Sequence, residues 1–105
     1  MDKNPIRLLL NAEPFGFGPT AAIAALQPLL RDKFAEIAYI GSGHTLDLQR
    51  QLPYNAVYDQ SKLSTEQQHE LLKRYDVMIT ASDFDMARAA KAAGLKLCVY
   101  DPLTW

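Results

Sequence analysis

The chain has 105 residues, which suits a single domain with a modest hydrophobic core. Its 11 basic and 12 acidic residues give a formal net charge of −1, so it lacks the basic surface typical of proteins that bind nucleic acid or anionic lipid. Apolar residues make up 49% and charged residues 22%, a globular composition that excludes a wholly disordered chain.

The apolar runs are short. None approaches the roughly 18 residues of a membrane-spanning helix, and the N-terminal residues lack the pattern of a secretory signal. Cys98 is the single cysteine, so no intramolecular disulfide can form. It lies in the apolar run 97–100, which predicts a buried thiol. We therefore expect a cytoplasmic protein without a transmembrane segment.

The first half of the chain begins with a predicted strand. The apolar run 6–10 is typical of a central parallel strand. After a loop, Gly18 and Pro19 predict the start of a helix, with proline at its first position. Apolar spacing continues this helix over 20–30, and Pro28 predicts a kink or an early end.

The middle of the chain repeats this alternation with shorter elements. The run 37–40 predicts a second strand, 45–52 a short helix and 56–58 a third strand. Ser64 with Gln67 three residues later forms a capping box, which predicts the start of the next helix.

A fourth strand is predicted over Val77–Ala81 and a fifth over 97–100. Ser82 is expected to cap the helix between them, and Gly94 to end it. The strict alternation of strands and helices predicts an α/β fold: a doubly wound, Rossmann-like parallel sheet of five strands in the order 3-2-1-4-5, with helices on both faces.

In such a sheet, ligands bind beyond the carboxyl ends of the strands, near the switch between the first and fourth strands. In the loop after the first strand, Gly16 and Gly18 allow the backbone to approach a ligand, and the helix N-terminus that follows suits phosphate. Alternatively, these glycines only shape a tight turn. Phe15 and Phe17 flank them, either tucked under the loop or offered to a ligand. The pattern is neither a dinucleotide fingerprint nor a P-loop.

The other loops offer fewer candidates. His44 after the second strand is a potential general base, phosphate donor or capping group. After the fourth strand, the paired carboxylates of Asp83 and Asp85 suit acid–base chemistry, and Ser82 is a candidate for ligand binding. Alternatively, Ser82 and Asp85 fit a plain helix cap. No cluster of cysteine and histidine has metal-ligand spacing, and we expect no metal site. We also expect no cofactor.

Three segments together resemble the N-terminal half of GT-B glycosyltransferases: residues 15–19 after the first strand, 39–44 at the second strand, and 75–105. The resemblance implies transfer of a sugar from a nucleotide-sugar donor. In that family the N-terminal domain mainly recognises the sugar acceptor, and a C-terminal domain holds the donor. The chain is therefore expected to be the N-terminal, acceptor-side domain of a longer two-domain protein, inactive without its C-terminal domain.

The resemblance also implies roles for particular residues. Gly16 and Gly18 would approach the donor phosphates or the acceptor. A catalytic base would come from Glu13 after the first strand or from Asp83 after the fourth. The histidine common at the first of these places is missing, and His44 lies on a different loop.

Other readings of the chain remain open. It also fits a stand-alone α/β module that binds a phosphorylated ligand at the loop containing Gly16 and Gly18, or a small independent enzyme. If a second domain is missing, an apolar patch is expected to be exposed, with Tyr100, Trp105 and the loop containing Phe15 and Phe17 as its candidates, and such a patch would suit a homodimer or a crystal contact.

Overall fold

A computed structural model describes residues 4–14 and 16–100. The strands are β1 (Asn4–Ala12), β2 (Phe34–Gly41), β3 (Ala56–Asp59), β4 (Val77–Ala81) and β5 (Lys96–Tyr100). The helices are α1 (Phe17–Leu30), α2 (Leu46–Arg50), α3 (Thr65–Leu72) and α4 (Phe84–Ala92), with a single 3₁₀ turn at Gln60–Lys62.

The five strands form one parallel sheet in the order β3-β2-β1-β4-β5. This confirms the predicted Rossmann-like fold and its strand order. In the register, Leu10 of β1 lies beside Tyr39 of β2 and Ile79 of β4. The carboxyl ends of the three central strands therefore lie at the same edge of the sheet. Between β1 and β4 the direction in which successive strands are added to the sheet reverses, which is the switch point of a doubly wound fold.

Alternate residues of the central strands supply two separate cores, because successive side chains of a strand point to opposite faces. Leu9 and Met78 join a core with α3 and α4, through residues such as Leu72. Leu8 and Leu10 join a second core with α1 and α2. These two cores confirm that helices cover both faces of the sheet.

Two details of α1 differ from the sequence prediction. The helix begins at Phe17 with Gly16 as its N-cap, so Pro19 is its third residue rather than its first. Proline fits there because the first N–H groups of a helix have no intrahelical partner. Pro28 does not end the helix early, since α1 continues to Leu30, and its missing N–H interrupts only the last turn.

The prediction of a buried Cys98 is wrong, because its thiol is exposed. Cys98 lies on the edge strand β5 and pairs with Ile79 of β4. Helix α1 contacts β1 and β4 more extensively than β5, so this edge strand is less well covered. Tyr100, two residues along the same face, is 48% exposed for the same reason.

The apolar patch predicted from the ends of the chain is seen only in part. Phe17 is 61% exposed, whereas Phe15 and Trp105 lie outside the described residues. Within 4–14 and 16–100, no helix is both long and apolar enough to cross a bilayer.

Candidate functional site

The loops after β1 and β4 line an open cavity of about 300 Å³. The N–H of Glu13 donates to the carbonyl of Ala81 at 2.9 Å, which holds the β1 loop against the end of β4. This contact brings together residues from distant parts of the chain, namely Glu13, Pro14, Ser82, Asp83, Phe84 and Asp85. Three predicted site residues, Glu13, Ser82 and Asp83, thus share one cavity.

A second cavity of about 350 Å³ lies beside the first and extends towards β3. Pro14, Asp83 and Asp85 line both cavities, so the two form one region, which we call the crevice. The loops after β2 and β3 add the hydroxyls of Ser42 and Ser61 and the amide of Gln60.

The crevice is acidic. Its charged side chains are the carboxylates of Glu13, Asp83 and Asp85, and no basic side chain lines either of these two cavities. Within the described residues, no group of three or more histidine, cysteine, aspartate or glutamate side chains is placed to hold a metal ion. The crevice therefore offers hydrogen-bond acceptors and hydroxyls to a ligand.

Asp83 joins the two cavities and caps α4. Its carboxylate accepts a hydrogen bond from the N–H of Met86 at 3.1 Å. Burial raises the pKa of Asp83, and the charges of Asp85 and Glu13 raise it further, while the Met86 N–H and the polar side chain of Asn11 oppose that rise. The carboxylate thus has a greater affinity for a proton than an ordinary aspartate, as a general base requires.

Asn11 is a functional candidate that the sequence analysis missed. Its side chain is fully buried at the carboxyl end of β1. Its amide nitrogen donates to the carbonyl of Ile40 in β2 at 2.7 Å, and its amide oxygen accepts from the hydroxyl of Thr80 in β4 at 2.5 Å. A polar residue closing the apolar run of a central strand is the sequence signal that marks such a position.

Ser82 does not cap α4, so the predicted Ser82 cap is wrong. Asp83 is the N-cap, and Ser82 has a φ of 62°, the one non-glycine residue in the left-handed region among the described residues. Its N–H donates to the carbonyl of Tyr100 at 2.9 Å, which fixes the turn between β4 and α4. Left-handed backbone at a non-glycine residue costs energy and occurs preferentially at functional sites.

This strain predicts different effects of two Ser82 substitutions on the free energy of unfolding. Ser82→Val is expected to lower the free energy of unfolding by about 1–3 kcal/mol, since a β-branched side chain is disfavoured at positive φ. Ser82→Gly should cause no loss, because glycine adopts this conformation freely. Urea unfolding of the two variants measures the difference, and equal stabilities would contradict the assignment of strain to Ser82.

The remaining predicted residues form a second group at the start of α1. The rings of Phe17 and His44 meet edge to face, with centroids 5.2 Å apart, and both residues are exposed. Gly16 has an extended φ of −142°, and a Cβ added at Gly16 or Gly18 would meet no atom within 4 Å. A tight turn therefore does not require glycine here, and the space above the start of α1 is open.

No protein-family model, curated protein or solved structure matches the chain. The resemblance to glycosyltransferases and the site roles that it implies therefore remain predictions. A functional proposal must therefore be argued from the chemistry of the crevice. The crevice lies at the carboxyl ends of the strands, where doubly wound sheets bind their ligands.

Proposed function

We propose that the chain is the acceptor-side domain of a GT-B-type glycosyltransferase, and that its crevice binds the hydroxyl-rich acceptor. One observation carries this proposal: Glu13 and Asp83, the two residues expected to supply a base, line a single cavity although they follow different strands. The donor nucleotide-sugar would be held mainly by a second domain.

The lining of the crevice suits a neutral sugar. Ionised carboxylates accept hydrogen bonds and cannot donate them, so Glu13 and Asp83 are matched to the O–H groups of a saccharide. Phe84 lies at the same cavity with half of its surface exposed, and it offers an apolar ring face to the C–H groups of a sugar. Pockets of this kind combine an apolar surface with a few placed polar groups.

The alternative, a phosphorylated ligand, is less well supported. A phosphate in the crevice would face the like charges of Glu13, Asp83 and Asp85 without a lysine or arginine among the residues that line it. At the start of α1, Pro19 provides no N–H to an anion. The features that favour phosphate are the N-terminus of that helix and His44, whose ring contacts Phe17 there.

In the proposed reaction, Asp83 removes the proton of an acceptor hydroxyl as that oxygen attacks the anomeric carbon of the donor. The bond between the sugar and the nucleoside diphosphate breaks, and the diphosphate leaves with the bonding electrons. The raised proton affinity of Asp83 suits this step, because a base is most effective when its pKa approaches the working pH. Glu13 would hydrogen-bond a second hydroxyl of the acceptor.

Calorimetry of the chain with UDP-glucose and UDP-N-acetylglucosamine tests whether the donor nucleotide-sugar is bound by a second domain rather than by this chain. We expect no tight binding, since the chain would lack the domain that holds the nucleotide. Tight binding of either compound would show a self-contained donor site and contradict the proposal. The coding sequence gives a second test: a further β-α region downstream is expected, and a stop codon directly after Trp105 would contradict it.

A further inference from the structure

Strand β5 is an exposed edge of the sheet, and no further strand lies beyond it among the described residues. Four of its five residues are exposed, including Val99 and Tyr100, whereas every residue of the opposite edge strand, β3, is half-buried. Edge strands are usually protected by charged residues or proline, because their unpaired backbone groups attract another strand. The single charged residue of β5 is Lys96, at its first position. The rest of this edge is therefore open to pairing.

The backbone groups of β5 point alternately towards β4 and towards the free edge. The N–H of Lys96 donates to the carbonyl of the residue before β4 at 3.0 Å, and the carbonyl of Tyr100 accepts from the N–H of the residue after β4 at 2.9 Å. Lys96, Cys98 and Tyr100 therefore direct their backbone groups towards β4. Leu97 and Val99, which alternate with them, direct theirs to the free edge. Two N–H and two C=O groups thus face a partner strand.

Two copies of β5 match each other in one antiparallel register. When Cys98 of one copy lies opposite Cys98 of the other, all five residues are paired and Leu97 lies opposite the partner's Val99. The outward groups of both strands then form four hydrogen bonds around a two-fold axis. Lys96 lies opposite the partner's Tyr100, which separates the two lysines and places each ammonium group near an aromatic ring.

The side of β5 that faces α1 has room for this contact. A mostly apolar cavity of about 330 Å³ lies there, lined by residues that include Leu26 of α1, Ile79 of β4 and Tyr100 of β5. Lys96 and Cys98 share this side of the sheet with Tyr100, because side chains alternate along a strand. In the paired register, the aliphatic part of the partner's Lys96 would cover apolar surface beside Tyr100.

We propose that β5 is an interaction surface for a second copy of this chain, which joins two five-stranded sheets into one continuous sheet with Cys98 on the two-fold axis. A second copy is the partner that this strand fits, because its outward backbone groups and its single charge are both matched by its own sequence in this register. The proposal does not depend on what the crevice binds.

Disulfide formation with diamide tests the register, since diamide oxidises two thiols to a disulfide and is itself reduced to a hydrazine. The two Cys98 residues would form a non-hydrogen-bonded pair with Cα atoms about 4.5 Å apart, within the range of a disulfide. The exposed thiol is therefore expected to form a covalent dimer. Lys96→Cys in a Cys98→Ser background is the control, because its two thiols would lie about 14 Å apart, four residues along the strands.

The control should form a covalent dimer at least about tenfold more slowly, because its cysteines are beyond the reach of a disulfide. Equal rates of cross-linking at the two positions would overturn the proposal. This comparison uses the parent chain and does not require a variant that weakens the strand.

Sedimentation under reducing conditions tests the association itself, and we expect a dimer whose fraction increases with protein concentration. Val99→Pro removes one outward N–H from each copy, and with it two of the four hydrogen bonds, while the pairing with β4 is kept. It should weaken association at least about tenfold relative to Val99→Ala, which keeps that N–H. A chain that stays monomeric at millimolar concentration, or equal association of the two variants, would overturn the proposal. A failure of sugar binding would refute the proposed function without altering these results.

Discussion

For the glycosyltransferase proposed above, replacing Asp83 with asparagine is expected to reduce the rate of glycosyl transfer about 10²–10⁴-fold, the usual contribution of a general base. The fold should persist, because asparagine caps a helix as well as aspartate does. Asp83→Ala removes the base and also the cap over Met86, so it should additionally lower the free energy of unfolding by about 1 kcal/mol. Transfer rates and urea unfolding separate the two effects.

The pH dependence of stability provides a check on the same residue. Because the folded state raises the pKa of Asp83, the folded chain binds more protons than the unfolded chain at and above the ordinary aspartate range. The contribution of Asp83 to stability is complete below that range and is lost as the pH rises through its folded pKa. Asp83→Asn removes this dependence and should be at least as stable as the parent chain at pH 7. A loss as large as that of Asp83→Ala would contradict this account.

Alkaline pH is expected to unfold the chain through its buried tyrosines. Burial raises the pKa of Tyr39 to about 12, and burial is also the main cause that raises the pKa of Tyr54 and of Tyr75. An unfolded tyrosine ionises near pH 10, so each contribution to stability is present below pH 10 and is lost as the pH rises above it. Tyr39 alone accounts for a loss of about 3 kcal/mol. Circular dichroism and phenolate absorbance, followed together, should show unfolding and ionisation as one transition.

Two substitutions distinguish the tyrosines. The Tyr39 hydroxyl is fully buried near Thr20 and Ala12 and makes no hydrogen bond of normal geometry with the described residues. Tyr39→Phe should therefore leave stability at pH 7 equal or about 1 kcal/mol higher, and weaken the alkaline transition. Tyr54→Phe loses a 2.7 Å hydrogen bond to Gln49 and should cost about 1 kcal/mol. Equal losses in both variants would show that Tyr39 is hydrogen-bonded.

The fold was predictable because its signals are local. Apolar runs such as Val77–Ala81 mark strands directly, and their alternation with helical patterns leaves few topologies for a parallel sheet. The start of α1 and the cap of α4 were harder to predict. Pro19 is compatible with any position in the first turn, and the adjacent Ser82 and Asp83 are both good N-caps.

The candidate site was predictable only in part. Glu13 and Asp83 follow strands whose ends meet in this topology, so their proximity follows from the strand order. Asn11 depends on a contact with Thr80, 69 residues away, which strand register determines and no local pattern reveals. The prediction for Cys98 was wrong for a similar reason, since its exposure depends on the position of β5 at the edge of the sheet, which no local pattern reveals.

Mapping of ligand-induced shifts in the backbone amide NMR spectrum tests the role of the crevice most directly. The probes are methyl glycosides of glucose, galactose and N-acetylglucosamine, with inorganic phosphate compared in parallel. We expect at least one glycoside to shift the amide signals of Glu13, Ser82, Asp83 and Phe84, and Asp83→Asn to weaken that response. Shifts caused by phosphate at Gly16 and Gly18, with no response of the crevice to any glycoside, would contradict an acceptor-binding crevice.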